Sequence, residues 1–268
     1  AYDIAGEQQL WQGEAATAIR ISGDGKTAAG VYRDGSQALV YDTESGNLLH
    51  TVDFGEKRQS AAVNDSFANP GDNLLALNAD GSLLAASFAD GSLQVYDLEN
   101  PDGDLVIFDE TSGYTHFEGG FYQQYLAFSA SGPSGSVFAV IDTEQMVQTG
   151  GFESQSPFSV QTDETGIYVQ TENLLVQIHP VTGEQMPLVT MTDPILRYAR
   201  SSRHTLAAAE GKLLFFDSHA QQIEEYETDD AVDFAQLAGD MALTGSRDAP
   251  VIRILQYESH PDTEVFAY

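Results

Sequence analysis

The chain has 268 residues, 41 of them acidic and 11 basic, for a formal charge of -30, and it contains no cysteine. Disulfides, thiolate nucleophiles and cysteine-ligated zinc are therefore excluded, and so negative a surface repels nucleic-acid backbones and anionic lipid, which bind through Lys and Arg. Apolar residues at 42% and aromatic ones at 10% provide a packed core, and no apolar run is long enough for a membrane-spanning helix.

The sequence opens at Ala1 with no basic-then-apolar leader, so a mature or excised segment of a longer polypeptide is expected. The acidity and the scarcity of lysine point to the cell envelope or the extracellular space. Residues Ala1 to Gln12 read as the outer half of a four-stranded module ending its third strand at Tyr2-Asp3. Ala18 to Asp42, AIRISGDGKTAAGVYRDGSQALVYD, follows, and its pattern returns in Leu74 to Asp97, LLALNADGSLLAASFADGSLQVYD. Each copy holds two Asp-Gly steps, Asp24-Gly25 with Asp34-Gly35 and Asp80-Gly81 with Asp90-Gly91. Asp-Gly between short apolar runs predicts a hairpin, because glycine supplies the positive φ of a tight turn. Both copies read as strand, hairpin, strand, hairpin, strand.

An apolar-acid pair ends the third strand and recurs in graded form along the chain. After Tyr2-Asp3 come Tyr41-Asp42, Tyr96-Asp97, Ile141-Asp142, Ile178-His179, Phe216-Asp217 and Tyr257-Glu258, at intervals of 37 to 55 residues. A polar turn and a fourth apolar run follow most of them, as in TESGN and Leu48 to Phe54. The longer intervals hold loops, Gly55 to Asp72 and Glu99 to Asp104. Four short strands per period of about forty residues mark a β-propeller blade. Complete modules are expected to start near Ala16, Asn73, Tyr114, Pro157, Pro194 and Ala231. The expected fold is all-β: a single propeller over residues 1–268 with four-stranded antiparallel blades. Seven blades are preferred, the seventh shared with sequence outside the segment; six are the alternative, with Gln8 to Gln12 pairing onto the final blade. The aspartates of the recurring pair read as turn-formers rather than catalytic acids, and the rings as packing between blades.

With Tyr-Asp or Phe-Asp where that family has Trp-Asp, the repeat resembles the WD-repeat superfamily of propellers. No Gly-His dipeptide occurs, so the family's buried His–Ser–Asp–Trp network is not carried over, and the pattern is that of a degenerate bacterial-style relative. The segment AYDIAGEQQLW, which holds the sole tryptophan, Trp11, resembles the repeat of quinoprotein-type propellers. The quinone cofactor is not carried over with it, and no cofactor is expected.

Arg197, Arg200 and Arg203 fall within seven residues and form the one cationic cluster in an acidic chain. Arginine's planar fork suits a carboxylate or phosphate, and an inner strand at Ile195 to Ala199 would turn part of the cluster toward a central channel. Ion pairing with carboxylates of neighbouring blades is the favoured explanation of the cluster, since structural ion pairs are common. The stretch YTHFEGGFYQQY offers Tyr114, His116, Phe117 and Tyr122 as a recognition surface, although alternation along a strand sends half of its rings into the core. Glu99, Asp102, Asp104 and Asp109, like Asp229, Asp230 and Asp233, lack the spacing of a calcium hand and read as solvated turns. Ser22-Gly23-Asp24-Gly25-Lys26 approaches a sialidase box but carries lysine in its last place. The six histidines form no metal-ligand spacing, and no G-x-S-x-G elbow occurs. No catalytic or metal residue is assigned.

The expected function is a non-enzymatic scaffold that binds a protein, peptide or small-molecule ligand, cationic in character, on a propeller face, with no nucleic acid and no direct membrane insertion. The alternative is a propeller hydrolase, lactonase- or glycosidase-like, with a channel calcium.

Overall fold

A computed structural model describes residues 2–3, 8–9, 16–32, 35–55, 74–88, 90–100, 105–108, 114, 116–156, 158–163, 165–201, 203–228, 232–238, 241–246 and 251–256. Among them every regular element is a β-strand, and no helix is long and apolar enough to cross a membrane. Strand β1 (Tyr2–Asp3) pairs with β2 (Gln8–Gln9), Tyr2 opposite Gln9. The next sheet runs in chain order through β3 (Ala16–Ile21), β4 (Thr27–Tyr32), β5 (Gln37–Asp42) and β6 (Leu48–Asp53). The following one comprises β7 (Leu75–Leu77), β8 (Leu83–Ser87), β9 (Leu93–Asp97) and β10 (Leu105–Phe108). A third comprises β11 (His116–Tyr122), β12 (Tyr125–Gly132), β13 (Gly135–Asp142) and β14 (Val147–Ser154), and a fourth β15 (Ser159–Asp163), β16 (Gly166–Gln170), β17 (Leu174–Ile178) and β18 (Gln185–Thr190). Then come β19 (Arg197–Arg200), β20 (Thr205–Ala209), β21 (Lys212–Phe216) and β22 (Gln222–Glu227), and finally β23 (Phe234–Ala238), β24 (Met241–Ser246) and β25 (Val251–Gln256). Neighbouring strands are antiparallel wherever their register is resolved. The modules thus begin within three residues of the positions expected from the repeat.

The chain divides into two compact units, Ala1–Val169 with Ile178–Glu184, and Gln170–Gln177 with Gln185–Tyr268. In the first, Ala29, Val31, Ala38, Val40 and Phe54 pack against Leu75, Leu84, Phe88 and Tyr96, so one sheet covers the face of the next. Leu93 and Val95 pack in turn against Phe117, Leu126 and Phe128. In the second unit, Leu206, Leu213 and Phe215 meet Val232 and Ala242. Second strands are therefore buried on both faces, as in Leu84, Ala85, Ala86 and Ser87 of β8 and Leu206 to Ala209 of β20. They read as continuous apolar runs rather than alternating ones. Of the fourth strands, which close their sheets, β6 carries mostly exposed side chains, and those of β22 are divided between exposed and half-buried.

Aspartate and glycine build the turns together. Gly25, Gly81 and Gly91 have φ of 73°, 76° and 85°, a region that residues bearing a Cβ seldom enter. The Asp80 Oδ1 accepts the Ser82 N–H at 3.0 Å and its hydroxyl at 2.7 Å. Asp90 treats Ser92 alike, at 3.0 and 2.6 Å. The recurring acids do the same for the next turn. Asp42 accepts from Ser45 N–H at 2.6 Å, Asp142 from Glu144 and Gln145 N–H at 3.0 Å, and Asp217 from His219 N–H at 2.8 Å. They are turn-formers, as the repeat implied. Opposite the pair, a β-bulge falls in three modules, where the register shifts at Val40/Tyr41, Val140/Ile141 and Phe215/Phe216 and the extra residue, Leu49, Thr149 or Ile223, sits in the fourth strand, which bends there.

Candidate functional site

Arg197 and Arg200 stand at the two ends of the four-residue strand β19, opposite Ala208 and Thr205. Three residues apart on a strand, they project to opposite faces. The Arg197 Nε donates to the Asp233 carbonyl at 2.9 Å and its Nη1 to the Leu196 carbonyl at 2.6 Å. Arg200 Nη1 donates to Thr205 Oγ1 at 3.4 Å. Arg203 lies exposed in the turn beyond, where its N–H donates to Ser201 Oγ at 3.4 Å. The guanidinium groups of Arg197 and Arg200 thus lie on opposite faces of the strand.

The aromatic stretch divides along β11. His116 is exposed at its start, while Phe117, 1% exposed, belongs to the core. Tyr114 is half-buried against that same core. Tyr122 lies at the far end of the strand, where its hydroxyl accepts the Gln123 side-chain amide at 3.3 Å. Of the acidic loops, Asp102, Asp104, Asp109, Asp229 and Asp230 lie outside the described residues. Among the described residues no three His, Asp or Glu side chains gather as for a metal ion.

The ends of four first strands, β3, β7, β11 and β15, line a half-open cavity of about 480 Å³. Its apolar wall includes Ile21, Leu77 and Phe121, and its polar side chains are Arg20, Tyr122, Gln123, Thr162 and Asp163. Glycines bring the strands together there. A Cβ on Gly120 would stand 2.5 Å from Thr162 Oγ1, so β11 and β15 approach only because that position is bare. Asp163 is committed to its own turn: Oδ1 accepts Thr165 N–H at 2.7 Å, the Thr165 hydroxyl at 2.6 Å and Gly166 N–H at 3.1 Å.

Arg20 is the cation of this cavity. It is half-buried, its Nη1 donates to the Ile19 carbonyl at 2.9 Å, and among the described residues no carboxylate is in ion-pair reach. Burial pushes its pKa below the ordinary guanidinium value, because desolvation disfavours the charged form. Sequence reasoning selected Tyr122 but missed Arg20. Its signal was a departure from the repeat, for Arg20 aligns with Ala76 of the next module, which lines the same cavity.

No protein-family model and no curated protein matches the chain. Solved structures do. The WD40 repeats of RRP9 are similar with a TM-score of 0.59 and 12% identity, covering 92% of this chain and 78% of that one. A chain of a mitotic checkpoint complex is similar with a TM-score of 0.60 and 13% identity, over 90% and 74% of the two chains. BamB from Moraxella catarrhalis reaches a TM-score of 0.52 and 17% identity, over 94% and 89%. Read with the repeated four-stranded modules, the likeness shows the fold: the chain is a β-propeller, as are the WD40 repeats and BamB that it resembles.

Proposed function

We propose that this propeller is a non-enzymatic binding scaffold of the cell envelope or extracellular space, and that its partner is a protein or peptide with a basic face. The formal charge of -30 carries the reading. A field of that sign raises the local concentration of cationic surfaces and speeds their association, with little effect on the fold itself. The solved neighbours support an interaction role, one of them being a chain of a mitotic checkpoint complex. Exposed apolar side chains such as Leu48, Leu49 and Val147 provide contact area on the outer strands β6 and β14. Pull-down at low salt with basic and acidic bait proteins of equal size tests the proposal. Retention of the basic bait alone is expected, falling by roughly tenfold or more as salt rises from about 50 to about 200 mM. Equal retention of both baits overturns it.

A further inference from the structure

We propose that the cavity between β3, β7, β11 and β15 binds a carboxylate, with the Arg20 guanidinium as its counter-ion. A guanidinium half withdrawn from water with no carboxylate beside it loses hydration without a charge partner in return. In a chain with 41 acidic side chains, ion pairs for it are easily supplied, yet none is made here among the described residues. The Nη1 bond to the Ile19 carbonyl uses one of five N–H donors. The remaining fork suits an anion with two coplanar oxygens.

Charge and shape narrow the ligand. Among the described residues Arg20 is the sole cation lining the cavity, and Asp163 lines it too. With Asp163 counted, the charges of the described lining already cancel, so a carboxylate adds one negative charge and a phosphate dianion two, the costlier inside a chain of charge -30. Leu77 and Phe121 supply apolar lining for a substituent on the acid. Because Tyr122 accepts from Gln123, its own O–H is left as a second donor. The volume of about 480 Å³ falls in the usual range for small-ligand pockets. The carboxylate is that of a free small acid or of an acidic residue in a peptide, and this site stands independently of the basic partner proposed above.

Calorimetric titration of the full chain with N-acetyl-leucine, its amide, inorganic phosphate and a blocked peptide carrying a single Asp tests the assignment. The acid or the peptide is expected to bind, and the tighter of the two identifies the source of the carboxylate. The amide and phosphate are expected to bind at least about tenfold more weakly. Arg20→Gln is expected to weaken carboxylate binding about tenfold or more, and Arg20→Lys by a smaller factor, because lysine keeps the charge but loses the fork. Retention of a basic bait is expected to be unchanged in either variant, which separates this site from the scaffold reading. Equal affinity for acid and amide, phosphate binding as tight as the acid's, an unchanged affinity in Arg20→Gln, or no carboxylate binding up to roughly 10 mM each overturn the proposal. Should Arg20→Gln fail to fold, Arg20→Lys carries the comparison alone, and wild-type affinity there overturns it.

Discussion

The Nδ1 of His179 accepts the backbone N–H of Thr182 at 3.2 Å, and that of Val181 at 3.3 Å. His179 thereby does in its module what carboxylates do in the others, where Asp97 accepts Glu99 and Asn100 N–H at 3.0 Å. The position requires an acceptor two atoms beyond Cβ that faces the following turn, and an imidazole of the right tautomer meets that need as an aspartate does. His179→Ala leaves both N–H groups to water and is expected to lower stability by about 1 kcal/mol. His179→Asp is expected to keep the wild-type stability or exceed it, since a charged acceptor makes the stronger bond. Urea unfolding of both variants checks the pair; equal loss in the two contradicts the shared role.

Gly25 and Gly81 occupy the same place in consecutive modules, with φ of 73° and 76°. A Cβ on Gly25 would meet nothing within 4 Å, while one on Gly81 would stand 2.5 Å from Thr27 Oγ1 and 2.6 Å from Thr27 Cβ. Gly25→Ala therefore carries backbone strain alone, about 1 kcal/mol. Gly81→Ala adds a clash with the first residue of β4 and is expected to cost about 2–3 kcal/mol. Thr27→Ala/Gly81→Ala is expected to recover part of that excess, and strict additivity of the two changes would contradict the contact.

These turns were the most legible part of the sequence. Asp24-Gly25 and Asp80-Gly81 announce their geometry because the aspartate supplies the acceptor and the glycine the φ, both local properties. The module starts followed from the same punctuation. The bulges at Val40/Tyr41 and Phe215/Phe216 left no such mark, since a bulge is decided between two strands and any residue can occupy it. The cavity was equally silent. Arg20, Tyr122 and Asp163 come from three different sheets, and nothing in their neighbours along the chain shows that they meet. Arg197, Arg200 and Arg203 lie close in sequence, but a strand's alternation separates the first two.

Asp24, Asp42 and Asp80 all have pKa values held below the ordinary carboxylate range. For Asp24 the chief cause is the Lys26 backbone N–H, and for Asp42 and Asp80 it is the hydroxyl of Ser45 and of Ser82. A carboxylate whose folded pKa is depressed contributes stability that is present above its unfolded value, near about pH 4. That contribution is lost as pH falls further, through the folded values. Relief of self-repulsion in so acidic a chain acts in the opposite direction over the same range. The difference between wild type and Asp80→Asn cancels that common term. Asp80→Asn is expected to be the less stable at pH 7, with the gap closing as pH drops below about 4. A gap that stays constant from neutral pH to about pH 2.5 contradicts the assignment.

Phe54 closes the first complete sheet and is 4% exposed. Its ring meets Phe88 edge-on, with centroids 5.1 Å apart at 78°, and lies 5.7 Å from Tyr96. Its backbone N–H donates to the Ser36 carbonyl at 2.9 Å, so the ring is fixed to one sheet while its face is buried by the next. Phe54→Ala removes an aromatic side chain from between two modules and is expected to cost about 3–5 kcal/mol. Phe54→Leu keeps most of the apolar area but loses the edge-to-face contact, for a cost of about 1–2 kcal/mol. Because the Phe54 cluster joins the first complete sheet to the one after it, the loss in Phe54→Ala is expected to raise hydrogen exchange in β5 and β8 ahead of the sheets elsewhere in the chain. Uniform exchange across all sheets would show instead that the modules unfold as one cooperative block.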